Sequence, residues 1–284
     1  MTVDDNVETL FSVGYREPMT TALRDALRGE ALVLCLALLH SRTPDVPAIA
    51  AACGYDAVYV DLEHASTSLD TAQMLCVGAL GSGISGLVRV PSHDPSVIAR
   101  VLDGGAVGVI VPHIDSKEEA EGVVQAARFP PIGNRSISGP NAVSGYTPRT
   151  ASQLVELLER RTVVAVMIET PEAVEASDAI ASVDGIDLIL IGPSDLTAEM
   201  GIHGQYENEH FHRAVESVAA ACRSHGVALG MAGIKSLDLL NRFVGLGLRF
   251  ISAGTDVGLM TEAATTRAQA LRGLQSHRDG QRDE

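Results

Sequence analysis

The feature that most constrains this chain is a succession of eight short apolar runs. They lie at Ala31–Leu38, Ala57–Asp61, Gly86–Val90, Gly108–Pro112, Val163–Glu169, Leu188–Ile191, Ala228–Met231 and Phe250–Ser252. Most are unbroken stretches of Val, Ile, Leu and Ala rather than alternating ones, the pattern of parallel strands covered on both faces. Helix-length segments separate them and carry their own start signals. Asp94-Pro95 opens Ser96–Asp103, and Ser116 followed by Glu119 resembles a capping box before Ala120–Arg128. Thr170-Pro171 puts proline in a first turn, where its missing N–H costs little. Eight strand–helix alternations in one chain predict an α/β fold, a (β/α)8 TIM barrel. The 284 residues suffice for this as a single domain over 1–284. Residues 1–17 read as a lead-in, Thr20–Arg28 as a short helix, Met260–Gln275 as a terminal helix and His277–Glu284 as a polar tail prone to fray.

Composition narrows the partners. A formal net charge of −15 lacks the basic footprint of nucleic-acid binding, though one Arg or a metal ion can still set the field inside a cleft. Cys35, Cys53, Cys76 and Cys222 form no Cys-x-x-Cys pair, so buried reduced thiols are expected rather than disulfides or a zinc site. The acidic start Met1-Thr2-Val3-Asp4-Asp5 lacks a signal-peptide pattern, and the apolar run Ala31–Leu39 is too short to span a bilayer. A soluble, cytoplasmic protein is the expectation, with no membrane partner.

In such a barrel, chemistry gathers where the strands end. The second run ends in Asp61-Leu62-Glu63-His64, the third in Arg89-Val90-Pro91, the fifth in Glu169 and the sixth in Gly192-Pro193-Ser194-Asp195. Singly, each is more simply a surface or ion-paired residue; four such ends on one rim point to a shared site. Glu169 and Asp195 offer oxygen ligands, which suit a hard divalent ion with positions left for water and substrate. His64 is either a third ligand or a base working near neutral pH. Arg89 can hold a carboxylate or a developing enolate oxygen with permanently charged donors. The backbone N–H groups at Gly192, Ser194 and Asp195 face an anionic end of the substrate. Lysine is scarce: Lys117 and Lys235 are the whole complement, neither inside a strand run, which disfavours a Schiff-base mechanism.

Three segments, taken in their order and spacing, resemble the metal-dependent pyruvate aldolases typified by 4-hydroxy-2-oxoheptanedioate aldolase. They are Tyr59 to His64; Val88 to Pro91 with Val101-Leu102-Asp103-Gly104-Gly105-Ala106; and Ile168-Glu169 with Gly185-Ile186-Asp187 and Ile191 to Leu196. Phe129 to Arg135 resembles the family's loop. The likeness covers residues 20–272, taken as the barrel core. It implies a homo-oligomer, commonly a hexamer with its C-terminal helices (here 260–275) exchanged between subunits. It implies Mg2+, Mn2+ or Co2+ on Glu169 and Asp195, His64 as the base, and Asp103 or Asp61 orienting that base. Arg89 would stabilise a pyruvate enolate, and the backbone at Ser194 and Asp195 would hold the pyruvate carboxylate. The implied reaction is that of a carbon–carbon lyase, making or cleaving 4-hydroxy-2-oxo acids from an enolate and an aldehyde. The chain departs from the family pattern at Met167, where Gln is common, and in the loop Ser136–Tyr146.

Two other readings stay open. A relative of macrophomate synthase would reach the same enolate by decarboxylating oxaloacetate, then quench it with a proton or another electrophile. A non-catalytic barrel is the third. Phosphate binding at Ala253-Gly254-Thr255 is a weaker cue, more simply a helix cap. Glu63, His93, His113 and loop 134–148 carry no assigned role; His113 follows Pro112 on the chemical rim and reads equally as an exposed loop histidine. The acceptor and the preferred metal are not encoded in any motif.

Overall fold

Apolar strands need cover on both faces, and a barrel wrapped in helices supplies it. In a computed structural model describing residues 23–279, all eight strands are parallel and close in sequence order, β8 pairing back to β1. The strands are β1 (Val33–Leu38), β2 (Ala57–Asp61), β3 (Ser85–Arg89), β4 (Gly108–Val111), β5 (Val163–Ile168), β6 (Leu188–Ile191), β7 (Ala228–Met231) and β8 (Leu248–Thr255). The helices are α1 (Leu23–Arg28), α2 (Asp45–Ala52), α3 (Leu69–Gly81), α4 (Pro95–Asp103), α5 (Lys117–Ala127), α6 (Ala151–Arg161), α7 (Pro171–Glu175), α8 (Ser177–Ala181), α9 (Pro193–Glu199), α10 (Glu209–His225), α11 (Leu237–Gly245) and α12 (Asp256–Asp279). The expected lead-in and residues 20–22 of the first helix lie outside the described residues. The terminal helix starts earlier and runs further than 260–275.

The two faces of each strand build two cores. Val33, Cys35, Tyr59, Leu87, Met167 and Phe250 fill the barrel interior. Their neighbours Val58, Val60, Val88, Val109 and Val166 pack outward against the helices. This period-2 split explains the unbroken apolar runs: no strand residue can be polar without a partner inside. Cys35, Cys76 and Cys222 are buried free thiols as expected, but Cys53, just beyond α2, is exposed. No helix among the described residues is long and apolar enough to cross a membrane.

The caps are specific. Ser116 accepts the Glu119 N–H as expected, yet the Glu119 carboxylate returns to the N–H of Asp115, not of Ser116, so the reciprocal box is incomplete. A complete one forms at Thr150 and Gln153 instead.

Each helix runs antiparallel to the strand before it, so helix C-termini gather at the barrel end opposite the strand C-termini. There Arg128, fully buried, donates to Asp187, Glu159 and the carbonyls of Thr162 and Gly185, while Arg24 also reaches Asp187. The segment 129–149 packs at this end too. Arg135 pairs with Asp103 at 2.7 Å and lies over the Phe129 ring, and Arg161 donates to the Val143 carbonyl. In its own chain this loop is therefore remote from the strand C-termini.

At the chemical rim the seam between β1 and β8 is closed by Asp256. Its carboxylate accepts the backbone N–H groups of Leu39, His40 and Ser41 and the Ser41 hydroxyl. Thr255 caps the start of α12 through the Gly258 N–H, as the cap reading of Ala253-Gly254-Thr255 anticipated. Burial alone would raise the Asp256 pKa, but the Ser41 hydroxyl and the three N–H donors outweigh it and hold the carboxyl below its usual 3.8. A depressed folded-state pKa adds stability that is present above the unfolded value and lost as pH falls through the folded one. Asp256→Ala is therefore expected to lower the urea midpoint at neutral pH and to narrow its gap to wild type below pH 4. A gap constant with pH would show that the charge is immaterial.

Candidate active site

The rim is built strand by strand. Asp61 ends β2 and pairs in register with Arg89, which ends β3. Both follow inward-facing positions, Tyr59 and Leu87, so the pleat aims them into the barrel mouth. Asp61 is fully buried. It accepts Arg89 Nε at 3.0 Å and Arg89 Nη2 at 2.6 Å, a bidentate pair, and also the backbone N–H groups of Glu63 and His64. Burial pushes its pKa up, but the Arg89 hydrogen bonds and charge prevail and hold it low. Arg89 is held more firmly protonated than usual: desolvation opposes its charge, and the hydrogen bond to Asp61 overrides that opposition. Its guanidinium lies 5.8 Å from the Tyr59 ring centre. Burial raises the Tyr59 hydroxyl to about 12.

Arg89 Nη1 lies 3.0 Å from Glu63 Oε2, yet that oxygen is a buried acceptor with no hydrogen bond. The two charges are adjacent without a hydrogen bond between them, so Nη1 is paired with Glu63 by charge alone. The other Glu63 oxygen lies 3.0 Å from His113 Nε2, and His113 Nδ1 lies 3.3 Å from Glu169 Oε2. The His113 backbone N–H donates to that same Glu169 oxygen at 2.9 Å.

His113 adopts φ 54°, a left-handed conformation uncommon outside glycine. It follows Pro112, whose carbonyl is held by His93 Nε2 at 2.8 Å. His93 thus has a positioning contact, and His113, its side chain 56% exposed as the loop reading expected, nevertheless lies beside both Glu63 and Glu169. Neither could be read from Pro-His-Ile in the sequence; a residue just past a strand on the chemical rim was the one available signal.

Glu169, one residue past β5, is almost fully buried. Burial is the main cause that raises its pKa; the negative charges of Glu63 and Asp195 add to it, while the His113 N–H and ring oppose it. Gly192 is required beside it, because a Cβ there would come within 2.5 Å of Glu169 Oε1. Asp195 and Ser194 are exposed on the first turn of α9, whose start at Gly192 has no side-chain cap. Ser194 lies 3.3 Å from the Tyr206 hydroxyl.

His64 stands at the mouth with its side chain 58% exposed and Nε2 3.7 Å from Glu63 Oε2. Of its two expected orienting partners, neither holds the imidazole. Asp61 fixes the His64 backbone and is otherwise committed to Arg89. Asp103 ends α4, at the opposite end of the barrel, and pairs with Arg135. A helix that follows a strand carries its last residue away from that strand's C-terminal end, so Asp103 cannot reach His64 of its own chain.

The donor set fits a hard dication. The Asp195 charge is close enough to raise the cost of charging Glu169, and Glu63 adds a buried acceptor that lacks a donor. Among the described residues no three His, Cys, Asp or Glu side chains converge as a full cage, so water and substrate would have to complete such a site.

Comparison with known proteins places this rim in context. Residues 36–263 match the HpcH/HpaI aldolase/citrate lyase family. The 4-hydroxy-4-methyl-2-oxoglutarate aldolase tasA of Hapsidospora irregularis is 37% identical over 239 residues, covering 83% of this chain and 88% of the relative. An HpcH/HpaI aldolase structure from Desulfitobacterium hafniense superposes with a TM-score of 0.84 at 28% identity, covering 89% of this chain and 97% of that one. Macrophomate synthase superposes with a TM-score of 0.77 at 25% identity, covering 97% and 99%. With the family model matching residues 36–263 and a relative 37% identical over 83% of its length, the chain belongs to the HpcH/HpaI aldolase/citrate lyase family.

Proposed function

We propose that the protein is a divalent-metal-dependent aldolase that cleaves or forms 4-hydroxy-2-oxo acids through a pyruvate enolate. The observation that carries this reading is the gathering on one rim of an acidic pair, Glu169 and Asp195, with Arg89, whose Nη1 makes no hydrogen bond among the described residues and would turn to a developing oxyanion. Glu169 and Asp195 would hold Mg2+, Mn2+ or Co2+, which when bound polarises a chelated 2-oxo acid and acidifies its methyl group. The residues of this chain do the rest. Arg89 offsets charge on the enolate oxygen. His64, exposed at the mouth, takes up and returns the proton. The backbone at Ser194 and Asp195 receives the substrate carboxylate; the expected share of Gly192 falls away, because its N–H already donates to the Ile168 carbonyl at 3.1 Å. The tasA likeness favours substrates in which the aldehyde partner is replaced by a second 2-oxo acid.

The α12 helix is exposed over residues 259–274, with Met260 67% and Leu274 65% accessible. That supports a homo-oligomer, a hexamer by the family's habit, in which α12 is covered by a neighbour. In such an assembly Asp103 would serve the site of a neighbouring subunit.

A second reading, oxaloacetate decarboxylation, draws on the macrophomate synthase likeness and on Met167, an apolar residue under Glu169 in the barrel interior. One experiment separates the two. With Mn2+ and pyruvate in D2O, the aldolase exchanges the pyruvate methyl protons, followed by NMR, and Glu169→Gln abolishes exchange. Absence of exchange with every divalent ion refutes the aldolase; oxaloacetate consumption without exchange establishes the decarboxylase.

A further inference from the structure

We infer that His113 is a positioning residue that presents Glu169 to the metal, fixing one carboxylate oxygen so that the other is left for the cation. This rests on the reading of Glu169 as a metal ligand. His113 engages one Glu169 oxygen, Oε2, through its backbone N–H at 2.9 Å, and its ring Nδ1 lies 3.3 Å from the same oxygen. Oε1, the remaining oxygen, is packed where Gly192 leaves out a Cβ. The far nitrogen of the ring, Nε2, lies 3.0 Å from Glu63 Oε1, and Glu63 is itself beside Arg89, which is locked to Asp61. A continuous polar chain, Asp61–Arg89–Glu63–His113–Glu169, thereby links the ends of β2, β3, β4 and β5.

Two independent features show that this arrangement is built rather than incidental. The first is the backbone: a histidine held at φ 54° persists only where its surroundings over-determine it. Strict alternation beyond Ile110 (inward) and Val111 (outward) would send residue 113 toward the helix layer, and the left-handed turn brings it back over the mouth. The second is the support beneath that turn, where His93 holds the Pro112 carbonyl. Groups that orient a ligating carboxylate typically govern metal affinity by about 10–100-fold when removed. The chain also gives Glu63 a function: it faces both the ring of His113 and the charge of Arg89.

The backbone and the ring can be tested separately. Glycine at 113 relieves the left-handed conformation but removes the imidazole. Asparagine tolerates that conformation and places an amide near the Nδ1 position, keeping the arm to Glu169. Glutamine reaches toward Glu63 instead. Mn2+ affinity is measured by calorimetry on wild type, His113→Gly, His113→Asn, His113→Gln and Glu169→Gln, with circular dichroism checking that each is folded. The expected result is about 10–100-fold weaker Mn2+ binding in His113→Gly and His113→Gln, with His113→Asn within about threefold of wild type. Wild-type affinity in His113→Gly overturns the proposal and leaves the metal reading standing. Failure of wild type itself to bind Mn2+, or undiminished binding by Glu169→Gln, overturns the metal reading and the proposal with it.

Discussion

Replacing Asp61 with alanine is expected to cost about 3–5 kcal/mol of folding stability, the penalty for stranding a buried charge. Arg89 has its side chain 12% exposed and would lose its bidentate partner, with Glu63 beside it making no hydrogen bond to it. The N–H groups of Glu63 and His64 would lose their shared acceptor as well. Asp61→Asn keeps an acceptor for those N–H groups and removes only the charge, so its loss should be smaller. Urea unfolding of the metal-free protein, followed by circular dichroism, measures both. A loss below about 1 kcal/mol for the alanine variant would put Asp61 outside the framework and return it to the catalytic list.

The second large effect is on turnover. Arg89→Lys is expected to lower kcat by about 10²–10³-fold, the usual loss when an oxyanion donor is removed. Alanine is the wrong probe, because it would leave Asp61 and Glu63 charged and facing each other. Lysine keeps one positive charge for Asp61 but lacks the planar fork, so no second nitrogen is left to face the substrate as Nη1 does. Little change in KM alongside the fall in kcat would place the contact in the transition state. Steady-state cleavage of a 4-hydroxy-2-oxo acid gives both numbers. A kcat within threefold of wild type would make Arg89 a purely structural partner of Asp61.

The fold was legible because its signal is collective. Each strand had to be apolar on both faces, and eight such runs leave few alternatives. Phe250–Ser252 was only the middle of β8, since Ala253, Gly254 and Thr255 look like a turn until Ala37 of β1 pairs with Thr255 across a register shift. The site was legible in its strand ends, at Asp61, Arg89, Glu169 and Asp195, but not in its cross-links. The register that sets Asp61 against Arg89 is a property of two strands, and no single segment shows it. His113 was hidden by a backbone conformation, and Glu63 by contacts with residues from two other strands. Asp103 ends α4 at the far end of the barrel, and only the course of the whole helix, not the local motif, shows that it lies away from His64 of its own chain. Arg128, an ordinary helix-end residue in the sequence, is fully buried because Asp187 and Glu159 converge on it from distant segments.

The Asp256 clamp has a consequence in time as well as space. The loop after β1 is among the first parts of the barrel to be synthesised, yet the acceptor for its N–H groups lies 215–217 residues downstream. At about 5–20 residues per second the ribosome delivers that acceptor roughly 10–40 s later. Until then the first strand has neither its neighbour on one side nor the carboxylate that completes its rim. The nascent chain therefore emerges with an open sheet edge at its leading end, and barrel closure is among the last events of its biosynthesis.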